Sequence, residues 1–272
     1  MSDPENLRIE RPIVDIAAAT GGWPDPWPNV AEIAAVLPTD RWTLVGGLMT
    51  QLHSIHHGLG IVRPTNDVDI VLHIETSRGV ASETATALCS LGYELRSAVD
   101  PRDNTAHRFC RGTSRIDLVA NRLDDEQPDE VVDVLVSDHH APKVTERLAG
   151  RDMVRIEGGT QALRRTINAR LEIEPGSITT VSVPGAFGAL VLKAAAYTTD
   201  SRDPGRHLRD AVALLACIED PFAEREGFTG SDRSRLRALR TQLTPDDISW
   251  TALTGQDRID AETALEILTD ED

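Results

Sequence analysis

Residues 63–73, RPTNDVDIVLH, set two carboxylates one residue apart on what otherwise has the composition of a buried β-strand. Side chains two apart on a strand project to the same face. Asp67 and Asp69 therefore stand side by side, while Val68, Ile70 and Leu72 fill the opposite, core-facing side. At about 5 Å and an effective dielectric near 20, two such charges repel by about 3 kcal/mol. A divalent cation between them removes that cost. An oxygen-rich site with few protein carboxylates suits Mg²⁺, which keeps waters and takes its other ligands from substrate phosphates. A D-x-D alone is short and common, and two solvated charges at a strand end are its alternative reading.

The flanking sequence bears on that choice. Upstream, RWTLVGGLMTQLHSIHHGLG (41–60) reads as a strand, a glycine turn at Gly46-Gly47 and a helix with Leu48, Leu52 and Ile55 at helical spacing. Backbone amides at such a turn, backed by the positive end of the helix dipole, form a phosphate cradle. Downstream, Asp117 in RIDLV lies on an expected strand and would add a third carboxylate. Taken singly it is a strand-edge charge. Arg63 and Thr65, just before the pair, are placed to hold a phosphate or to orient Asp67, with a salt bridge and a turn as the plainer roles. His53, His56 and His57 suggest zinc at first sight, but only His53 and His57 share a helical face and no third ligand accompanies them.

Periodicity outlines the rest as α/β (α+β). A helix is expected at 29–38, opened by Asn29 as N-cap, and another at 78–92. A hairpin is expected over 107–121, and short strands near 131–136, 152–156 and 178–183. Helices follow at 185–199, 204–218, 231–243 and 259–269. The expected organisation is a lead-in with a short helix (1–40), an α/β domain (41–183) and a helical domain (184–272).

The 272 residues suffice for a sizeable core, and the formal charge of −16 excludes a generic polyanion binder. Any nucleic-acid contact must be local. Arg164, Arg165 and Arg170, or Arg233, Arg235, Arg237 and Arg240, are the basic candidates, with a solvated helix face as their alternative. Three scattered cysteines make neither a disulfide framework nor a zinc site. With no apolar run able to span a membrane and no signal-like start, the expectation is a cytoplasmic protein without a membrane partner.

Taken together, VGGLMTQLHSIHHGLGIVRPTNDVDIVL (45–72) resembles the nucleotidyltransferases of the DNA polymerase β superfamily. Its G-G-x-x-x-x-x-H…R-x-T-x-D-x-D form is similar to that of AbiE-type toxins of type IV toxin–antitoxin systems. GALVLKAAAY and GRHLRDAVALL supply a later match through Lys193, Arg206, His207 and Asp210. Leu48 stands where Ser or Thr is common, and Arg206 where lysine is.

The resemblance implies a polymerase β-type mixed sheet with flanking helices. It also implies transfer of a nucleoside monophosphate from a nucleoside triphosphate to an acceptor hydroxyl, with Mg²⁺ or Mn²⁺. Asp67, Asp69 and Asp117 would hold the metal, and Gly46 and Gly47 would grip the β- and γ-phosphates. Lys193 would pair with the triphosphate, or else be a snorkelling edge residue. Asp210 would orient a basic group. Arg108 would touch phosphate, or be a strand-surface charge. The implied acceptor is RNA, the tRNA 3′ end, and the implied partner a cognate antitoxin. Transfer to a small molecule, as in aminoglycoside nucleotidyltransferases, and nucleotide binding without catalysis are the alternatives.

Overall fold

The computed structural model describes residues 11–60, 63–96, 104–112, 130–138 and 146–270. The chain enters through β1 (Ile13–Ile16) and α1 (Trp27–Val36), then runs through β2 (Trp42–Leu44), α2 (Gly46–His56) and β3 (Asp67–Leu72). Next come α3 (Val80–Ser90), β4 (Glu94–Leu95), β5 (Arg108–Arg111) and β6 (Glu130–Ser137). Three short strands follow, β7 (Arg147–Leu148), β8 (Arg151–Asp152) and β9 (Val154–Ile156), then α4 (Gly159–Leu163) and the long pair β10 (Thr166–Glu174) and β11 (Ser177–Pro184). The remainder is helical: α5 (Ala186–Thr199), α6 (Gly205–Leu215), α7 (Pro221–Glu226), α8 (Asp232–Gln242) and α9 (Gly255–Thr269).

This is a mixed α/β fold. The main sheet has the order β2-β3-β6-β5-β4, with β9 pairing the second half of β6. β3 and β6 run parallel, and β2, β5 and β4 pair antiparallel with their neighbours. A parallel pair needs a long crossover. Here α3, β4 and β5 all lie between β3 and β6 in sequence, so residues more than sixty apart become lateral neighbours. A second sheet has the order β1-β10-β11.

On β3, Val68, Ile70, Val71 and Leu72 are fully buried, and Asp67 and Asp69 are partly exposed. The strand is thus amphipathic at its start and buried on both faces at its end. α2 is buried from Gly47 to Ser54, which places Leu48 in the core. The apolar cluster is continuous from Ile16 to Leu268 and includes residues of α5, α6, α8 and α9.

Some details differ from expectation. α1 begins at Trp27 after Pro26, so Asn29 lies inside the helix and does not cap it. Its buried amide instead donates to the Tyr93 hydroxyl at 2.9 Å. Asn is favoured at caps only while its side chain is free to turn back on the backbone, and here a tertiary partner takes it. LRRTINARL, singled out for its arginines, contains the start of β10, whose Ala169 and Leu171 are fully buried. Residues 113–129, with Asp117 and the second strand of the expected hairpin, lie outside the described residues. The first strand, β5, pairs with β4 and β6.

Candidate metal centre

Three carboxylates converge at the start of the parallel pair. Asp67 and Asp69 share a face of β3, and Asp133 on β6 lies directly opposite Asp69 in the ladder. One oxygen from each lies within 4.8 Å of the other two. The sequence predicts a strand at 131–136 but no role for its aspartate. The signal was nonetheless present, since VVDVLV interrupts an apolar strand with an acid just as DVDIVL does. Among the described residues, Asp133 is the third carboxylate.

The glycine turn closes on this cluster. Val45 donates its amide to the Asp69 carbonyl at 2.9 Å, which fixes the end of β2 beside β3. Gly46 follows with φ +69°, and a Cβ there would lie 1.7 Å from Asp69 Oδ2. Only glycine allows both that conformation and that approach. A Cβ on Gly47 would lie 2.7 Å from Thr65 Oγ1. Thr65 in turn donates to Asp67 Oδ1, so it orients the first aspartate. The N-terminus of α2, with its unpaired backbone amides, therefore abuts the carboxylates.

A cationic wall stands opposite. Buried Lys193 on α5 meets Asp210 on α6 at 2.7 Å. Arg63 holds the same carboxylate through Nε at 3.1 Å and Nη2 at 3.2 Å. Burial pushes Asp210 up, but Lys193 and Arg63 outweigh it and leave the carboxyl below its ordinary value. Next on α6, Arg206 and His207 both contact Asp200, at 2.9 and 3.0 Å. Arg108 on β5 forms a two-pronged pair with Asp133, at 2.9 and 2.7 Å. Among the described residues, His53 and His57 belong to no metal-ligating cluster: His53 Nε2 contacts the Pro184 carbonyl at 2.8 Å, and His57 Nδ1 the His53 carbonyl at 2.9 Å.

Asp69 bears the strain of this arrangement. Burial, Asp67 and Asp133 push it up to about 7 from 3.8, against the pull of Lys193 and Arg206. An all-carboxylate donor set, of which Arg108 pairs with Asp133 alone, fits a hard divalent ion such as Mg²⁺ or Mn²⁺. The sign of the pH effect follows. The folded chain keeps a proton on Asp69 up to about pH 7, and the unfolded chain releases it near 3.8. The associated stability is complete below that lower value and is lost as pH rises through about 7. In EDTA, thermal melts of the wild type should fall more between pH 5 and 8 than those of Asp69→Asn. At pH 8 the variant should gain about 5 °C, for a relief of about 2 kcal/mol. Parallel pH profiles would refute the charge strain.

The basic segments noted in the sequence are tied up largely within the molecule. Arg235 reaches Gln161 at 2.9 Å and Asp138 and Glu157 at 3.7 Å. Arg165 meets Asp232 at 2.7 Å, Arg170 meets Asp15 at 3.4 Å, and Arg240 meets Glu266 at 3.8 Å. No helix among the described residues is long and apolar enough to cross a membrane.

No family model matches the chain, and neither does any curated protein. Among solved structures, it aligns with the crystal structure of an antigenic nucleotidyltransferase-like protein from Paracoccidioides brasiliensis. That alignment has 17% identity and a TM-score of 0.45, and covers 89% of this chain and 92% of the other.

Proposed function

We propose that this chain is a metal-dependent nucleotidyltransferase, moving a nucleoside monophosphate from a nucleoside triphosphate to an acceptor hydroxyl. The observation that carries the reading is the juxtaposition of Asp67, Asp69 and Asp133 with the glycine-opened N-terminus of α2. Carboxylates alone bind a cation, and a helix N-terminus alone attracts an anion. The two in contact suit a metal–polyphosphate complex. In this reading Asp67, Asp69 and Asp133 hold Mg²⁺ or Mn²⁺, which when bound would polarise the α-phosphate and lower the pKa of the attacking hydroxyl.

The chain's own groups do the remainder. The Gly46 and Gly47 amides receive the β- and γ-phosphates, and Thr65 keeps Asp67 turned into the cleft. Lys193 and Arg63 are locked on Asp210 and present fixed positive charge towards the leaving pyrophosphate. Arg206 adds a half-exposed guanidinium to the same wall. Asp117 keeps the role that the resemblance gives it, as a further metal-holding acid.

The finer identity rests on the resemblance of residues 45–72 and 193–210 to AbiE-type toxins. It makes RNA, specifically the tRNA 3′ end, the acceptor, and an antitoxin the partner. The net charge of −16 favours a second reading, transfer to a cationic small molecule. The deciding assay supplies each of four α-labelled triphosphates with Mg²⁺ or Mn²⁺, and total tRNA or aminoglycosides as acceptors. Label on tRNA above an Asp69→Asn control is the expected result. Label on the drug instead selects the second reading, and no label on any acceptor overturns both.

A further inference from the structure

Asp69, Asp133 and Arg108 form a row across three adjacent strands, because Asp133 is the ladder partner of Asp69 on one side and of Arg108 on the other. The guanidinium fork occupies both oxygens of Asp133, at 2.9 and 2.7 Å. A carboxylate has about four lone-pair positions, so this pairing takes one on each oxygen and leaves a metal the remaining, less favourable directions. The two partners are unequally placed: the Arg108 side chain is 47% exposed and that of Asp133 9%. Arg108 can swing away into water at little cost. Asp133 cannot be left buried beside two other carboxylates without a cation.

We propose that Arg108 competes with the divalent cation for Asp133. The third carboxylate then joins the metal site by exchanging one cation for another. This rests on the metal-dependent reading above and adds to it a positioning residue that sets metal affinity. Removing a neutral or anionic partner that orients a metal ligand costs about 10- to 100-fold in affinity; Arg108 is instead a cation held on the oxygens the metal would take, so its removal acts in the opposite direction.

The test is Mn²⁺ binding to the full chain, followed by calorimetry and by the spin-resonance signal of free Mn²⁺, without nucleotide. Arg108→Gln should bind Mn²⁺ about tenfold more tightly than the wild type. In an Asp133→Asn background, the same substitution should change affinity by less than about twofold, because the contested carboxylate is gone. Arg108→Lys keeps the charge but loses the fork, and should fall between wild type and Arg108→Gln. It serves as the second variant if the glutamine chain melts early. Unchanged or weaker binding by both variants overturns the proposal. So does an equal gain in the Asp133→Asn background, which would mark a general field effect. If the wild type and both variants bind no Mn²⁺, the metal-dependent reading itself fails.

Discussion

Asp133→Asn should lower nucleotidyl transfer by at least about a thousandfold while leaving the fold intact. Phosphoryl chemistry asks the protein chiefly for positioning and charge neutralisation, so losing one of three converging carboxylates removes much of what the site supplies. The substitution is nearly isosteric, and the amide oxygen can still accept from Arg108. The strand itself is held by buried Val132, Val134 and Val136. Stability should therefore change by less than about 1 kcal/mol, in contrast with the activity. Asp67→Asn and Asp69→Asn should lose activity to a similar degree, and a double variant little more, because residues acting on one centre are not additive. The measurement is single-turnover transfer of labelled nucleotide, paired with thermal melts. An Asp133→Asn enzyme within tenfold of wild type would mean that Asp133 is only the structural partner of Arg108.

How much of this site the sequence discloses depends on the range of the interactions. Asp67 and Asp69 are legible because the period of a strand fixes their relation with no knowledge of tertiary structure. The Gly46-Gly47 turn is legible for a similar reason, being local: a strand ends, a helix starts, and a positive φ lies between them. Asp133 is not legible as a member of the carboxylate cluster, because its neighbours depend on the order β3-β6-β5, which periodicity does not encode. In the sequence, Asp117 and Asp133 present the same local picture, one acid among apolar residues, and periodicity does not rank one above the other. β10 was hidden in another way. Its alternating Ile167, Ala169, Leu171 and Ile173 follow or flank Arg164, Arg165 and Arg170, a charge pattern that reads as a surface segment. The Lys193–Asp210 pairing sits between these cases. Each residue stands out on its helix, but that Arg63, from the loop before β3, joins them is a tertiary fact.

That three-residue cluster gives the largest expected effect on stability. Asp210→Ala should destabilise the metal-free protein by about 3 kcal/mol, and Lys193→Met by roughly half as much or less. The asymmetry follows from who is left behind. Without Lys193, Asp210 keeps its two-pronged contact with Arg63, at 3.1 and 3.2 Å, and is not orphaned. Without Asp210, the Lys193 ammonium is left buried, its side chain only 6% exposed, with Asp69 as a weaker source of negative charge. A buried amine in that position escapes by releasing its proton. The folded chain then binds fewer protons than the unfolded one, and stability rises with pH. Asp210→Ala should therefore recover part of its deficit between pH 7 and pH 10, whereas Lys193→Met should not. Combining Lys193→Met with Asp210→Leu should restore part of the lost stability, because the buried Lys193–Asp210 pair no longer has to be desolvated, while Arg63, with 23% of its side chain exposed, still loses its partner. The combined variant should still transfer no nucleotide, since the cationic wall facing the carboxylates is depleted. Thermal melts across pH, with the transfer assay alongside, check all three. If Lys193→Met proves the more damaging substitution, Asp210 is held chiefly by Lys193, and Arg63 belongs to the surface rather than to the site.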